Sequence, residues 1–88
     1  LPTAIPCTAE DYAAAVENML LAATALGYAT VWMDGMTKAP AACAAIASLL
    51  RVPEGKTVRT ILPLGVPAKA GEPKPRKTFE ERVHYNQF

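Results

Sequence analysis

The apolar stretch between Tyr12 and Leu26 constrains the fold of this chain more than any other feature. Large apolar side chains recur in it with the 3.6-residue period of an α-helix. Alanines and leucines cover most other positions, and a helix that is apolar nearly all round is buried on more than one side. We predict that Thr8 caps this helix and that Gly27 ends it. The recurring positions are Tyr12, Val16, Met19, Leu20, Ala23 and Leu26.

Charge is scarce along this part of the chain. Residues 12–50 contain three charged side chains, which are Glu17, Asp34 and Lys38. The whole sequence has 88 residues, enough for one small domain at most. A small domain has a large surface relative to its volume and needs polar cover. The segment is too apolar to be disordered, so we expect other protein to cover it.

Two short strands are predicted on either side of a second helix. Residues 28–33 are rich in β-branched and aromatic side chains, and Asp34-Gly35 after them is a turn signal. Residues 57–66 predict the second strand, in which Pro63 indicates a sheet edge or a bulge. Two strands alone do not make a stable sheet. The order of elements therefore predicts a piece of an α/β sheet protein.

The second helix is predicted over residues 40–51. Pro40 suits its first turn, where the missing N–H removes no helical hydrogen bond. Residues 1–7 are expected to be extended because they contain Pro2 and Pro6. The side chains of the second helix expected to face inward are Ile46, Leu49 and Leu50.

The chain ends in a basic, proline-rich arm, residues 69–88, in which no hydrophobic period is long enough for a stable helix. Residues 1–50 have a net charge of −3 and residues 51–88 a net charge of +4. Three glutamates interrupt the basic residues, so the arm lacks the charge density of a nucleic-acid-binding tract. From the residues alone, the arm is a disordered tail, a nucleic-acid hook or a structural limb of a larger assembly. The cations of "PKPRK" either grip an anion or are solvated.

Other functional signals are weak. No signal peptide, membrane span, metal-ligand cluster or glycine-rich phosphate loop is apparent. Cys7 and Cys43 suggest thiols in a reducing compartment such as the cytoplasm. His84 is expected to be structural, and Cys43 a small core residue. Asp34-Gly35 taken alone is an ordinary turn.

Three segments together resemble the nitroreductase family of FMN-dependent oxidoreductases. They are "AAAVENMLLAATALGYATVWM", "LLRVPEGKTVRTILPLGVPA" and "EPKPRKTFEERVHYN". The resemblance implies an α+β fold, a three-layer α/β/α sandwich, of which residues 1–68 would form the C-terminal half. Residues 69–88 would be an arm exchanged between the subunits of a homodimer. The N-terminal half of the enzyme would lie outside these residues, and the 88 residues alone are expected to be inactive.

The same resemblance implies the cofactor and its contacts. FMN would take electrons from NAD(P)H and pass them to a nitro compound, a quinone or a similar small-molecule acceptor. Asp34 and Gly35 would approach the flavin N5 edge, where a backbone N–H can donate to it, and Lys74 and Arg76 would contact the FMN phosphate. No catalytic side chain and no metal ligand is implied, and neither nucleic acid nor membrane is an expected partner. The alternative is a non-catalytic dimerisation fragment without flavin.

Overall fold

The computed structural model describes residues 6–88. The predicted extended conformation of residues 1–7 therefore lies mostly outside the described residues. Within residues 6–88 the chain forms helices and a two-stranded antiparallel sheet, consistent with an α+β fold. In chain order the elements are α1 (Thr8–Ala25), β1 (Ala29–Thr30), a 3₁₀ helix (Met36–Lys38), α2 (Pro40–Leu49), β2 (Leu64–Gly65) and α3 (Phe79–Arg82).

Helix α1 confirms the predicted long apolar helix, although not its cap. The capping residue is Cys7, Thr8 is already helical, and no side chain caps the helix, so the prediction for Thr8 is wrong. At the other end Gly27 has φ +86°, a left-handed conformation that glycine adopts without steric cost. The Tyr28 N–H donates to Ala23 O at 2.9 Å and the Gly27 N–H to Thr24 O at 3.1 Å. These two bonds form a Schellman motif, which ends α1 and starts β1.

One register joins the two strands on both sides of Pro63. Ala29 pairs with Gly65, and the isolated bridge between Met33 and Ile61 keeps the same register. Continuing that register places Pro63 opposite Val31, at a position where a ladder N–H is needed. Proline has no N–H, so the ladder is interrupted without a bulge. Of the predicted 57–66 strand, only Leu64–Gly65 and the bridge at Ile61 pair.

Helix α2 has Pro40 in its first turn, as predicted, and ends at Leu49. Arg51 follows in a left-handed conformation with φ +54°, and its N–H donates to Ser48 O at 3.2 Å. The predicted inward positions are only partly correct. Ile46 is half-buried, whereas Leu49 is 83% exposed and Leu50 is 62% exposed, because no described element of the chain packs against that end of the helix.

The arm contains a short helix that the hydrophobic pattern did not predict. Thr78 caps α3, accepting a hydrogen bond from the Glu81 N–H at 3.3 Å, while the Glu81 side chain accepts from the Thr78 N–H at 3.0 Å. This reciprocal pair is a capping box, and "TFEE" is its sequence signature. From Pro63 to Phe88 only Val83 is even half-buried.

The described chain has little interior. Among residues 6–88 only Val16 is buried, at 5% exposure. The accessible surface is 8055 Å², whereas a compact protein of this mass exposes about 5,000 Å². The radius of gyration is 17.8 Å, against about 12 Å for a compact domain of this length. No helix in the described range combines the length and hydropathy needed to cross a bilayer.

Replacing Gly27 by alanine is expected to loosen the end of α1. An added Cβ would meet nothing within 4 Å, so only the left-handed backbone opposes it, at a cost of about 1 kcal/mol. The Tyr28 amide should then exchange with solvent about fivefold faster by NMR. Gly71→Ala, which also has open space and no positive φ, is the control. Equal exchange in both variants would contradict the assignment of strain to Gly27.

At the end of α2, replacing a non-glycine residue by glycine should stabilise the helix end, the opposite of the effect expected at Gly27. Arg51→Gly removes the backbone strain of a non-glycine residue in the left-handed conformation. Glycine also gains conformational entropy when this helix end opens, which offsets part of the effect. The net stabilisation should be about 0.5 kcal/mol. The Val52 amide, which donates to Ala47 O at 2.9 Å, should exchange about twofold more slowly. Faster exchange would show that the Arg51 side chain stabilises the helix end by more than its backbone strain.

Candidate functional site

The candidate site is the turn that follows β1, comprising Asp34 to Lys38. Met33, just before the turn, exchanges two hydrogen bonds with Ile61. The Met33 N–H donates to Ile61 O at 3.1 Å, and the Ile61 N–H donates to Met33 O at 2.8 Å. The Thr60 hydroxyl also donates to Met33 O at 3.1 Å. Both lone pairs of this carbonyl are therefore used, and the start of the turn is held to the second strand segment.

Thr37 ties the other side of the turn to the same segment. Its hydroxyl lies 2.7 Å from Arg59 O and 2.8 Å from Asp34 O. A hydroxyl has one proton to donate, so the two carbonyls share it. The bond to Arg59 O links residues 22 positions apart in the sequence. The turn is therefore held by tertiary bonds as well as by the 3₁₀ helix.

The turn presents a row of backbone donors. Within residues 6–88, the N–H groups of Asp34, Gly35, Met36 and Thr37 donate to no acceptor. Gly35 is exposed, and a Cβ built there would meet nothing within 4 Å. Its φ of −58° is open to any residue, so its backbone angles do not require glycine. Absence of a side chain instead leaves room for a group to approach the backbone closely.

The Asp34 carboxylate pairs locally. Its Oδ2 lies 3.4 Å from Lys38 Nζ, and the lysine side chain is 73% exposed. A surface ion pair of this spacing contributes little to stability, about 0.3–0.5 kcal/mol. Because the carboxylate is paired, the backbone N–H groups without acceptors are the distinctive chemical feature of the turn.

An aromatic and cationic cluster includes Trp32, which lies two residues before the turn in the sequence. The rings of Tyr12 and Trp32 meet edge to face with centroids 6.1 Å apart, and the Arg59 guanidinium lies 4.7 Å from the Tyr12 centroid. The Trp32 Nε1 and the Thr30 hydroxyl oxygen are buried and have no partner in the described chain. Buried donors without partners are destabilising by about 1–3 kcal/mol each.

Lys74 and Arg76 lie apart from the turn in this chain. Both are exposed on the extended part of the arm. Among residues 6–88 the one ion pair is Asp34–Lys38, so neither cation is paired with a carboxylate. Asp34 and Gly35 are neighbours in the turn, and neither contacts the two arm cations.

Sequence reasoning missed the residues that hold the turn, Thr37, Thr60 and Arg59. Threonines near a turn are common, and nothing in their local spacing shows which carbonyl a hydroxyl reaches. No group of His, Cys, Asp and Glu in the described range could hold a metal ion. The rings of His84 and Phe88 meet at a tilt of 52°, with centroids 5.1 Å apart, near the end of the arm.

We expect Tyr12 to shield Trp32, which is the single tryptophan of the chain. Tyr12→Leu should shift the tryptophan emission of the flavin-free protein to longer wavelength and remove an edge-to-face contact of about 0.5–1.5 kcal/mol. Tyr12→Phe keeps the ring and should emit like the parent. A parental emission spectrum from the leucine variant would show that Tyr12 does not shield the indole.

The comparisons with known proteins identify the family. A model described as the nitroreductase family matches residues 2–66, which are 65 of the 88 residues. Neither the curated proteins nor the solved structures gave a match. The matched range includes the turn with its unpaired donors and ends before Lys74 and Arg76. The chain therefore belongs to the nitroreductase family, whose members are flavin-dependent oxidoreductases.

Proposed function

We propose that the chain forms part of an FMN-dependent oxidoreductase that transfers electrons from NAD(P)H to small-molecule acceptors such as nitro compounds or quinones. Family membership supports flavin-dependent redox chemistry. The observation that carries the proposal is the turn at Asp34–Thr37, with four backbone N–H groups that lack acceptors in the described chain.

The turn fits a flat, acceptor-rich prosthetic group. A flavin ring presents oxygen and nitrogen acceptors along its edge, and the open space at Gly35 lets such an edge reach the backbone. The bonds of Thr37 and Thr60 hold the donors in place before any ligand arrives, which lowers the entropy lost on binding. When bound, FMN supplies the hydride and electron transfer. The chain contributes binding and orientation, with Asp34 and Gly35 as the proposed contacts.

Lys74 and Arg76 are the proposed contacts for the FMN phosphate. Both are exposed and have no carboxylate partner among residues 6–88, so their charge is available. Neighbouring prolines stiffen the extended backbone and lower the entropy cost of holding the cations near an anion. Arginine grips a phosphate with two hydrogen bonds, whereas lysine acts as a point charge.

In the assembled enzyme, Arg76→Ala should weaken FMN binding about tenfold or more, because a charge-assisted hydrogen bond contributes about 1.5–3 kcal/mol. Lys69→Ala is the matched control, since it removes one exposed cation from the same arm outside the "KPR" segment. Fluorescence titration of FMN into the flavin-free protein gives both affinities. Equal affinities in the two variants and the parent would contradict the phosphate contact.

We also propose a homodimer with exchanged arms, completed by the N-terminal half of the same enzyme. Support comes from the exposed surface, about 3,000 Å² larger than that of a compact protein of this mass. Obligate interfaces bury areas of this order. The exposed apolar residues include Met19, Leu21 and Leu26 on α1 and Tyr85 and Phe88 on the arm. A cytoplasmic location is also proposed, because two cysteines in 88 residues suggest thiols of a reducing compartment more than a disulfide framework.

The arm prediction is tested by deleting residues 78–88. The deletion should shift the mass measured by light scattering from that of a dimer towards that of a monomer. It should also lower the flavin retained per chain, because it removes the proposed intersubunit contacts of Val83 and Tyr85. Replacing Gln87 by aspartate adds a charge to the same segment without removing an apolar side chain and should leave both unchanged. A truncated protein as dimeric and as flavin-loaded as the parent would overturn the exchanged arm.

A second candidate function is a dimerisation unit that holds no flavin. The exposed apolar surface favours it as strongly as it favours the enzyme, since association alone would cover that surface. Flavin absorbance and NAD(P)H oxidation by the purified protein distinguish the two. Their absence from an intact dimer that is supplied with FMN would favour the second candidate.

A further inference from the structure

Asp34–Gly35 is the single place in the sequence where an aspartate precedes a glycine. At such a step the backbone nitrogen of the glycine can attack the side-chain carbonyl carbon of the aspartate, because no Cβ crowds the approach. The other aspartate, Asp11, precedes Tyr12 inside α1, where helical hydrogen bonds hold the backbone. The two aspartates therefore differ both in the residue that follows them and in how firmly their backbone is held.

The turn leaves the approach to Gly35 open. This residue is exposed, and a Cβ built on it would meet nothing within 4 Å. Within residues 6–88 its N–H donates to no acceptor, so no hydrogen bond of that N–H has to break before the nitrogen moves. The cost of closing a ring between the two residues is therefore set by the bonds that hold Asp34.

Two restraints hold Asp34, and both are weak. Its Oδ2 lies 3.4 Å from Nζ of Lys38, whose side chain is 73% exposed, so solvent screens the ion pair. The Thr37 hydroxyl lies 2.8 Å from Asp34 O but shares its proton with Arg59 O. Because the peptide unit is planar, Gly35 N cannot turn towards the Asp34 side chain without also moving Asp34 O. Ring closure must therefore loosen the shared hydrogen bond as well as the ion pair.

We propose that Asp34–Gly35 is a modification site at which the folded turn converts slowly to isoaspartate. Gly35 N loses its proton and bonds to Asp34 Cγ, while the protonated carboxyl releases its hydroxyl, which leaves with that proton as water. The product is a five-membered cyclic imide, which one water molecule then opens. Cleavage between the nitrogen and Cγ restores aspartate, whereas cleavage at the main-chain carbonyl carbon leaves the backbone running through Cγ. The sequence of steps needs no oxidant and no reductant.

Isoaspartate changes the turn because it adds one methylene group to the backbone. The free carboxylate then stands on Asp34 Cα, so the carbonyl that Thr37 holds is no longer part of the main chain. Gly35 is displaced with it, and the contact proposed between this residue and the flavin is lost. That consequence rests on the proposed function, whereas the conversion itself is a property of the turn.

Ageing the flavin-free assembly at neutral pH tests the proposal. Tandem mass spectrometry of the peptide that contains residues 34 and 35 should show a species lighter by one water, followed by isoaspartate at the parental mass. The step between residues 11 and 12 should stay unmodified in the same sample. A synthetic peptide of residues 31–38 sets the timescale, because no tertiary bond restrains it. A folded protein that contains no isoaspartate when the peptide has largely converted overturns the proposal.

Two variants test the route of the reaction. Asp34→Glu keeps the charge but cannot close the five-membered ring, so it should not convert. Gly35→Ala fits the observed φ of −58° and should convert severalfold more slowly, because its methyl group crowds the attacking nitrogen. Conversion of either variant at the parental rate overturns the proposal.

A lysine pair tests whether conversion starts from the folded turn. Lys38→Met removes the ion pair and should convert about twofold faster, the weight of one exposed i,i+4 pair. Lys56→Met is the matched control, since it removes an exposed lysine that has no ion pair among residues 6–88, and it should convert at the parental rate. Equal rates in the two variants would show that conversion proceeds from an opened chain and would overturn the proposal.

Loading with FMN separates this proposal from the proposed function. A flavin bound at the turn should slow the conversion because it covers Gly35, and aged flavin-free protein should rebind less FMN in proportion to its isoaspartate content. An FMN-loaded assembly that converts at the flavin-free rate would overturn the flavin contact and leave the modification site standing. Failure of the unaged assembly to bind FMN would overturn the proposed function, while the ageing of the flavin-free protein would still decide the modification.

Discussion

The pairing of Met33 with Ile61 is the interaction on which the rest of the site depends. It aligns two strand segments that have only one other paired region, at Ala29–Thr30 and Leu64–Gly65, and it keeps a single register across the gap at Pro63. Every tertiary bond that holds the turn follows from it. Thr60 reaches Met33 O and Thr37 reaches Arg59 O because the pairing brings those carbonyls within hydrogen-bond distance.

The site is ordered although the chain around it is thinly packed. Only Val16 is buried among residues 6–88, and burial of apolar surface is the main source of folding free energy. Hydrogen bonds contribute about 1 kcal/mol each and cannot replace that burial. The turn therefore has local rigidity without an underlying core. Cover over α1 and the arm would stabilise the platform that carries the turn, which links the proposed assembly to the proposed flavin site.

Local sequence signals predicted the elements that depend on neighbours in the chain. The period of α1, its end at Gly27 and the start of α2 at Pro40 were all confirmed. The capping box of α3 is equally local, but "TFEE" has no hydrophobic period, so the period alone did not predict this helix. The errors at Leu49 and Leu50 arose because the buried face of a helix depends on what packs against it. The sandwich layers, the exchanged arm and the division at residues 68 and 69 stay predictions.

The sequence by itself determined the family, the helices and the turn after β1, because each of these is encoded by contiguous residues whose side chains and backbone preferences act over a few positions. The resemblance pointed to Asp34 and Gly35 for the same reason. Tertiary structure alone decided which residues hold that turn in place. The Thr37 hydroxyl reaches Arg59 O, 22 residues away in the chain, and the Thr60 hydroxyl reaches Met33 O. These bonds form only after distant segments have paired, so no local pattern contains them.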